Sequence, residues 1–451
     1  VTSLPTGWAT VTIADLGGTI GGKTPSKANA DYWISGTVPW VSPKDMKVFE
    51  LHGSEDRITE STVADAGMHL IPVDSVLLVT RSGILAHTLP VAVTKVAVTI
   101  NQDIKAIRPV SGAHCSRYLA YSLRALESRV LNECAKSGTT VASVELPLLE
   151  KLAIPFAPLS EQQRIADKLD TVLARVDACR DRLARVAPLL KRFRQSVLAA
   201  AASGRLTEEW RAQEVEKAQR WTSVQLKNVA RFIDYRGRTP NKTNDGVPLI
   251  TAKNVRPGYL SLEPREYIAE ADYAGWMTRG LPSVGDVLIT TEAPLGNVVA
   301  IDWDFRFALA QRLICLKFDA CVQGEFAAIV LQSPDFQLTL RANSSGSTVS
   351  GIKASRLKEV TISIPGLAEQ AEIVRRVETL FAFADRLEAR LAQAQAAVDR
   401  LTPSLLAKAF RGELVPQDPA DEPAAELLKR MAASRAAPAP KTRKGRQVQA
   451  A

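Results

Sequence analysis

Apolar residues recur at steps of four and three from Ile165 to Val197: Ile165, Leu169, Val172, Val176, Cys179, Leu183, Val186, Leu190, Phe193 and Val197. Moving 208 positions along the chain finds Ile373, Val377, Leu380, Ala384, Leu387, Leu391, Ala394, Val398, Leu401 and Leu405, all apolar again. A period of about 3.5 residues sustained this long marks a coiled-coil seam rather than an ordinary surface helix. Two such helices in one chain and in matched register predict an antiparallel intramolecular coiled coil.

The helix ends carry their own signals. Ser160 and Gln163 have capping-box spacing at the first start. Gly204 and Gly412 suit the left-handed residue that ends a helix. Pro188 and Pro403 lie inside the seams and predict a kink or brief interruption in each.

The remainder of the chain repeats more loosely. Trp8 to Ile13 matches Trp221 to Leu226, Gly22-Lys-Thr-Pro25 matches Gly237-Arg-Thr-Pro240, and Val38 to Asp45 matches Val247 to Asn254. Asp74 to Thr80 matches Gly285 to Thr291, and Ser137 to Val141 matches Ser345 to Val349. Short β-branched runs such as Ser75–Thr80, Leu89–Ile100 and Val298–Asp302 read as strands, and Arg117–Cys134 as a helix. The fold expected is a tandem pair of mixed α/β (α+β) domains, each followed by a long helix. The boundaries are 1–158, a helix 159–205, a linker 206–220, a second domain 221–366, a helix 367–412 and a tail 413–451. From Lys429 to Ala451 the tail has seven Lys or Arg and no acid, and it reads as basic and disordered.

Composition narrows the function. Hydrophobic residues make up 46% and charged residues 23% of the 451, an ordinary globular balance. The net charge of +9 permits a polyanionic partner without proving one. Five cysteines without a C-x-x-C pair read as reduced thiols, and four histidines without ligand spacing nominate no metal. No run of 18 apolar residues indicates a membrane span, and the first residues lack a signal-peptide pattern, so a cytoplasmic protein is expected. Gly17 to Thr24 matches the P-loop pattern, in which Lys23 would reach terminal phosphates. Pro25 directly follows, where the phosphate-binding helix should be under way, and the second copy keeps only a turn. Lys191-Arg192-Phe193-Arg194 is read as a solvated cationic face around one seam residue.

The duplicated plan resembles the specificity subunit (HsdS) of type I restriction–modification systems. The stretches that carry the resemblance are Leu159 to Asp170, Leu190 to Leu198 and Gly204 to Trp210, with Gly22 to Pro25, Val38 to Lys44 and Ser137 to Thr140 matching the target-recognition pattern. The likeness covers about residues 4 to 414, and the second copy lacks the Trp and Ser-Pro around Leu249. It implies that each globular domain reads one half of a split, asymmetric DNA site. The helices would space the domains and dock two modification subunits that methylate adenine, and motor/nuclease subunits would complete the enzyme. S-adenosylmethionine, ATP and Mg would be bound by those partners, with no cofactor, metal or catalytic residue in this chain. Residue types in the repeated loops nominate Lys23, Thr24, Lys44, Arg81, Lys136 and Thr139 as first-domain DNA contacts. Arg236, Arg238, Thr239, Lys253, Thr291 and Lys353 are the second-domain candidates. The competing readings are an autonomous P-loop NTPase and a DNA-independent coiled-coil scaffold.

Overall fold

The computed structural model describes residues 4–109, 114–136, 141–214, 219–235, 239–346 and 350–436. They fall into two units, one built from residues up to 181 together with those from 395 on, the other from 182–394. Each unit therefore contains a globular domain, the beginning of one long helix and the end of the other.

In the first unit a five-stranded sheet runs in the order Ile20–Gly21, Ile104–Ile107, Val76–Val79, Val91–Thr94, Glu50–Leu51. A three-stranded sheet places Val38–Val41 between Asp56–Ile58 and Thr99–Ile100. The expected strand Leu89–Ile100 is thus two strands in two sheets. A bend after Thr94 lets the apolar run serve both, which periodicity alone does not reveal. The expected helix Arg117–Cys134 is likewise two, Ser116–Ala125 and Glu127–Glu133, joined at Leu126. Val76 to Val79 are fully buried, as a strand covered on both faces should be.

The second unit repeats this plan with four strands, Ala230–Asp234, Leu313–Phe318, Val287–Thr290 and Val298–Ala300, and a three-stranded sheet centred on Val247–Ile250. Registers correspond: Val79 pairs with Ile104 as Thr290 pairs with Leu313, and Val41 runs parallel to Ile100 as Ile250 does to Leu309.

The first long helix is Leu159–Ala184 continued by Val186–Ala202, broken at Arg185 just ahead of Pro188. The second, Leu367–Ala409, runs through Pro403 without the expected interruption. Leu406, Ala409 and Phe410 beyond it are buried in the first unit's core, and that packing offsets the hydrogen bond the proline cannot donate. In the first unit Arg180 pairs with Asp399 and Arg164 with Asp421. In the second, Arg194 pairs with Asp385 and Glu388, and Arg376 donates to the Leu206 carbonyl. In each unit one helix advances as the other retreats, so the pairing is antiparallel.

Of the seam, Ile165, Leu169, Val176, Leu190, Val197, Ile373, Val377, Ala384 and Leu391 are buried. Val172, Leu183, Val186, Leu380, Leu387 and Val398 are half-buried, whereas Cys179 and Leu401 are exposed. Two helices cover each other on one side only, so the seam's flanks stay wet. Arg194 departs from the solvated-face reading. Its guanidinium bridges to the second helix and lies 4.9 Å from the centre of the Phe381 ring.

Ser160 does not cap the first helix. The helix begins one residue earlier, at Leu159, so Ser160 lies inside its first turn. Fixing the helix to its domain falls to the neighbouring Gln162. Its amide donates to the Ala157 carbonyl at 2.8 Å, and its oxygen accepts the Cys115 N–H at 2.9 Å. Gln370 repeats this with Pro365 at 2.9 Å and Gln323 at 2.8 Å. Gly204 and Gly412 adopt the expected left-handed backbone, φ 76° and 74°.

The expectation of a disordered tail from 413 is corrected over part of its length. Ala424–Ala436 is a helix whose Ala424, Leu427 and Met431 are buried in the first unit's core. The spacing of those three residues is helical, but the charge run around them masks it. The rest of the tail lies outside the described residues. Among the described residues no helix is long and apolar enough to cross a membrane, and no His, Cys, Asp or Glu cluster could hold a metal ion.

Candidate nucleic-acid interface

In the first domain several strands end at one edge. The Ile20–Gly21 strand pairs with Ile104–Ile107, which brings Lys23 and Thr24 beside Asn101 to Asp103. Lys23 donates its backbone N–H to the Ile100 carbonyl at 3.0 Å, and the Thr24 hydroxyl bonds to the Gln102 side chain. At the end of Val76–Val79, Thr80 donates its backbone N–H to Asp103 at 2.8 Å, with Arg81 next in line. Val144 donates to the Thr80 carbonyl at 2.8 Å and Lys136 to the Ser143 carbonyl at 2.9 Å, which adds a third segment. Lys23, Thr24, Arg81 and Lys136 are thus gathered at one edge with exposed side chains.

Lys44 follows the Val38–Val41 strand to the same edge, but its ammonium is engaged. It pairs with Asp56 at 3.0 Å and Glu55 at 3.1 Å, and these carboxylates hold it above its usual pKa. The Lys44 side chain nonetheless stays 42% exposed, and surface ion pairs of this kind contribute little. Any anion must compete with two carboxylates already in place.

The P-loop pattern has no phosphate cradle. The Lys23 ammonium donates to the Ala66 carbonyl at 3.2 Å, and the first helical stretch that follows is the three-residue Ala30–Tyr32. A Cβ on Gly22 would sit 1.9 Å from the Ile100 carbonyl oxygen, so this glycine serves close strand approach.

The second domain builds the corresponding edge. Thr291 donates its backbone N–H to Arg312 at 3.1 Å, as Thr80 does to Asp103. Ile352 donates to Thr291 at 3.0 Å, as Val144 does to Thr80, which brings exposed Lys353 alongside. Lys253 follows Val247–Ile250 and Thr239 follows Ala230–Asp234, both exposed. Thr291 is corrected: it is 1% exposed, and among the described residues no partner reaches its hydroxyl. A side chain facing the core cannot reach a groove. Thr139, Arg236 and Arg238 lie outside the described residues.

Gln102, Lys105, Gln311 and Arg312 also belong to these edges, and residue-by-residue reading of the sequence missed them. The signal was the Gln that follows the end of an apolar strand in both copies, Gln102 and Gln311. The Lys105 ammonium donates to the Gln102 carbonyl at 3.3 Å.

The architecture defines a class: two α/β domains of one plan, each presenting a polar, partly cationic strand edge, with two long helices paired antiparallel. The family described as type I restriction modification DNA specificity domain matches residues 5–186 and 219–395, and the chain belongs to that family. It is 33% identical to the EcoBI specificity subunit of Escherichia coli, over 75% of this chain and 76% of that one. With the StySPI specificity subunit of Salmonella potsdam it shares 29% identity over 96% of both chains. Among solved structures, the HsdS subunit of Thermoanaerobacter tengcongensis aligns at TM-score 0.57, with 20% identity over 91% of this chain and 98% of that one. A chain of another type I R-M system aligns at TM-score 0.64, with 18% identity over 92% of this chain and 100% of that one. These relatives are specificity subunits, and the chain is accordingly a non-catalytic subunit.

Proposed function

We propose that this chain supplies the DNA address of a type I restriction–modification enzyme. Each domain reads one half of a split, asymmetric duplex site through the strand edge described above. The observation that carries the reading is the repetition of that edge, at matched registers but with different exposed side chains. Two copies of one surface predict two half-sites, and divergent residues predict that the halves differ. In this reading Lys23, Lys136, Lys253 and Lys353 neutralise phosphates, and Thr24, Gln102 and Arg81 reach base edges.

The paired helices dock two modification subunits that methylate adenine. Those subunits bind S-adenosylmethionine, and motor/nuclease subunits with ATP and Mg complete the assembly. Single-molecule adenine-methylation mapping of the host genome, with and without this chain, tests the proposal. A split, asymmetric motif that vanishes on deletion supports it. Methylation unchanged by the deletion, in cells where the modification subunits are expressed, defeats it.

A further inference from the structure

The two recognition edges are equivalent in backbone yet opposite in charge at one place. Backbone pairing makes Thr80 and Asp103 the counterparts of Thr291 and Arg312. Arg81 bridges to Ser143 as Glu292 bridges to Gly351, so those four residues correspond as well. The first domain therefore has an arginine after one strand and an aspartate before its neighbour. The second domain has a glutamate after the first of these strands and an arginine before the other.

The exchange is concerted. Arg312 Nε lies 2.9 Å from Glu292 Oε1, and the two side chains remain 52% and 43% exposed. Opposite Glu292, the serine of the first domain is replaced by Gly351. A Cβ there would stand 3.3 Å from both Glu292 Cβ and Oε2, tighter than a relaxed contact. Loss of the side chain at 351 makes room for the carboxylate that holds Arg312. In the first domain Asp103 is instead occupied by the side-chain amides of Asn101 at 3.1 Å and Gln102 at 3.4 Å, and Arg81 forms no ion pair among the described residues.

We infer that Arg312, paired with Glu292, is a base-reading cation of the second domain. Glu292 is a positioning residue, and Gly351 provides its space. An arginine contacted through Nε still offers its terminal amino groups as a planar fork, the shape that matches the O6 and N7 acceptors of guanine in the major groove. A lone surface arginine must lose rotamer freedom on binding, and one already tethered to a carboxylate loses less. Neighbouring strands lie about 4.8 Å apart, so moving the arginine from one strand to the next shifts its reach by roughly one base-pair step. The two domains thus read differently although their backbones agree.

This inference rests on the proposed role in DNA recognition, and the test separates the two. The full chain with its modification subunits is offered duplexes of randomised sequence, and the bound DNA is sequenced. The wild type selects a split motif. Arg312→Ala loses preference at one position of one half-sequence, with discrimination there falling about ten- to a hundredfold, while the other half is unchanged. Arg312→Lys keeps the charge but loses the same preference. Glu292→Ala weakens it, and Glu292→Gln, which retains an acceptor, restores most of it. If Arg312→Ala folds poorly, the lysine variant reads the same contrast. Arg312 variants that keep both half-sequences, with all affinities weakened equally and the salt dependence reduced by about one phosphate contact, overturn the inference and leave the DNA-addressing role standing. A wild type that selects no motif fails the parent reading itself.

Discussion

The indole N–H of Trp8 donates to the buried carboxylate of Glu161 at 2.9 Å, across 153 residues of sequence. The second unit repeats the contact between Trp221 and Glu369 at 3.2 Å. The ring packing repeats too. Trp8 meets Tyr118, and Trp221 meets Phe326, each edge-on with centroids 6.4 Å apart and planes at 71°. With Gln162 and Gln370 these contacts fix the start of each long helix to the beginning of its own domain. An orientation of recognition edge against helix is thereby built into each half.

Burial pushes the Glu161 carboxyl above its usual pKa, with the Trp8 indole opposing. A carboxyl whose folded pKa is raised contributes stability that is complete below the unfolded pKa and is lost as pH rises through the folded one. Glu161→Gln keeps an acceptor for Trp8 and removes that dependence. The variant should gain on the wild type as pH rises from 4 to 8, as read by thermal unfolding. Parallel profiles would refute the buried-carboxylate account.

Arg194 joins Asp385, Glu388 and the Phe381 ring, with its side chain 24% exposed. Arg194→Ala should cost about 1–2 kcal/mol, since exposed ion pairs contribute little and the ring contact adds a comparable amount. Urea unfolding measures it. Arg194→Asp combined with Asp385→Arg should recover part of the loss, which simple truncation of packing would not predict.

The helix pair sets spacing in the proposed function. A straight helix over Ile165 to Val197 would be roughly 50 Å long at 1.5 Å per residue, about 15 base pairs, an upper guide to the separation of the half-sites. Lengthening the first helix by four residues is expected to change the spacer between unchanged half-sequences. A matched insertion of one heptad after Ala184 and before Gln395 keeps the seam in phase and should lengthen the spacer by about three base pairs. Methylation mapping that finds the original spacer would exclude the ruler.

Thr291 and Arg81 occupy similar edges but differ in burial. Thr291→Val removes a buried hydroxyl that has no partner among the described residues, so stability should hold within about 1 kcal/mol and DNA selectivity should be unchanged. Arg81→Ala should alter or weaken one half-site only. Competition binding with half-site-scrambled duplexes distinguishes the two, and a selectivity change in the valine variant would contradict its inward placement.

Leu427 on the tail helix is 3% exposed in the first unit's core. Leu427→Ala should destabilise by about 2–3 kcal/mol. Proteolysis of the tail at native temperature gives a second readout, because the helix should be cut faster once its anchor is shortened.

The sequence by itself determined the duplication, the paired helices and the family. Each of these is a periodic or repeated signal: ten seam positions in matched register, the 208-residue offset, and Gly204 and Gly412 closing each helix. It also pointed to the strand edges through Lys23, Arg81, Lys253 and Lys353. Tertiary structure decided what each nominated side chain touches. Lys44 is held by Asp56 and Glu55, neither of which its own motif announces. Thr291 faces the core because strand register, not residue type, sets its side. The Arg312–Glu292 pair joins residues 20 positions apart through neighbouring strand ends. Local patterns report which face of an element is apolar; they carry no information about which distant polar group fills the space beside it, since only packing brings such groups together.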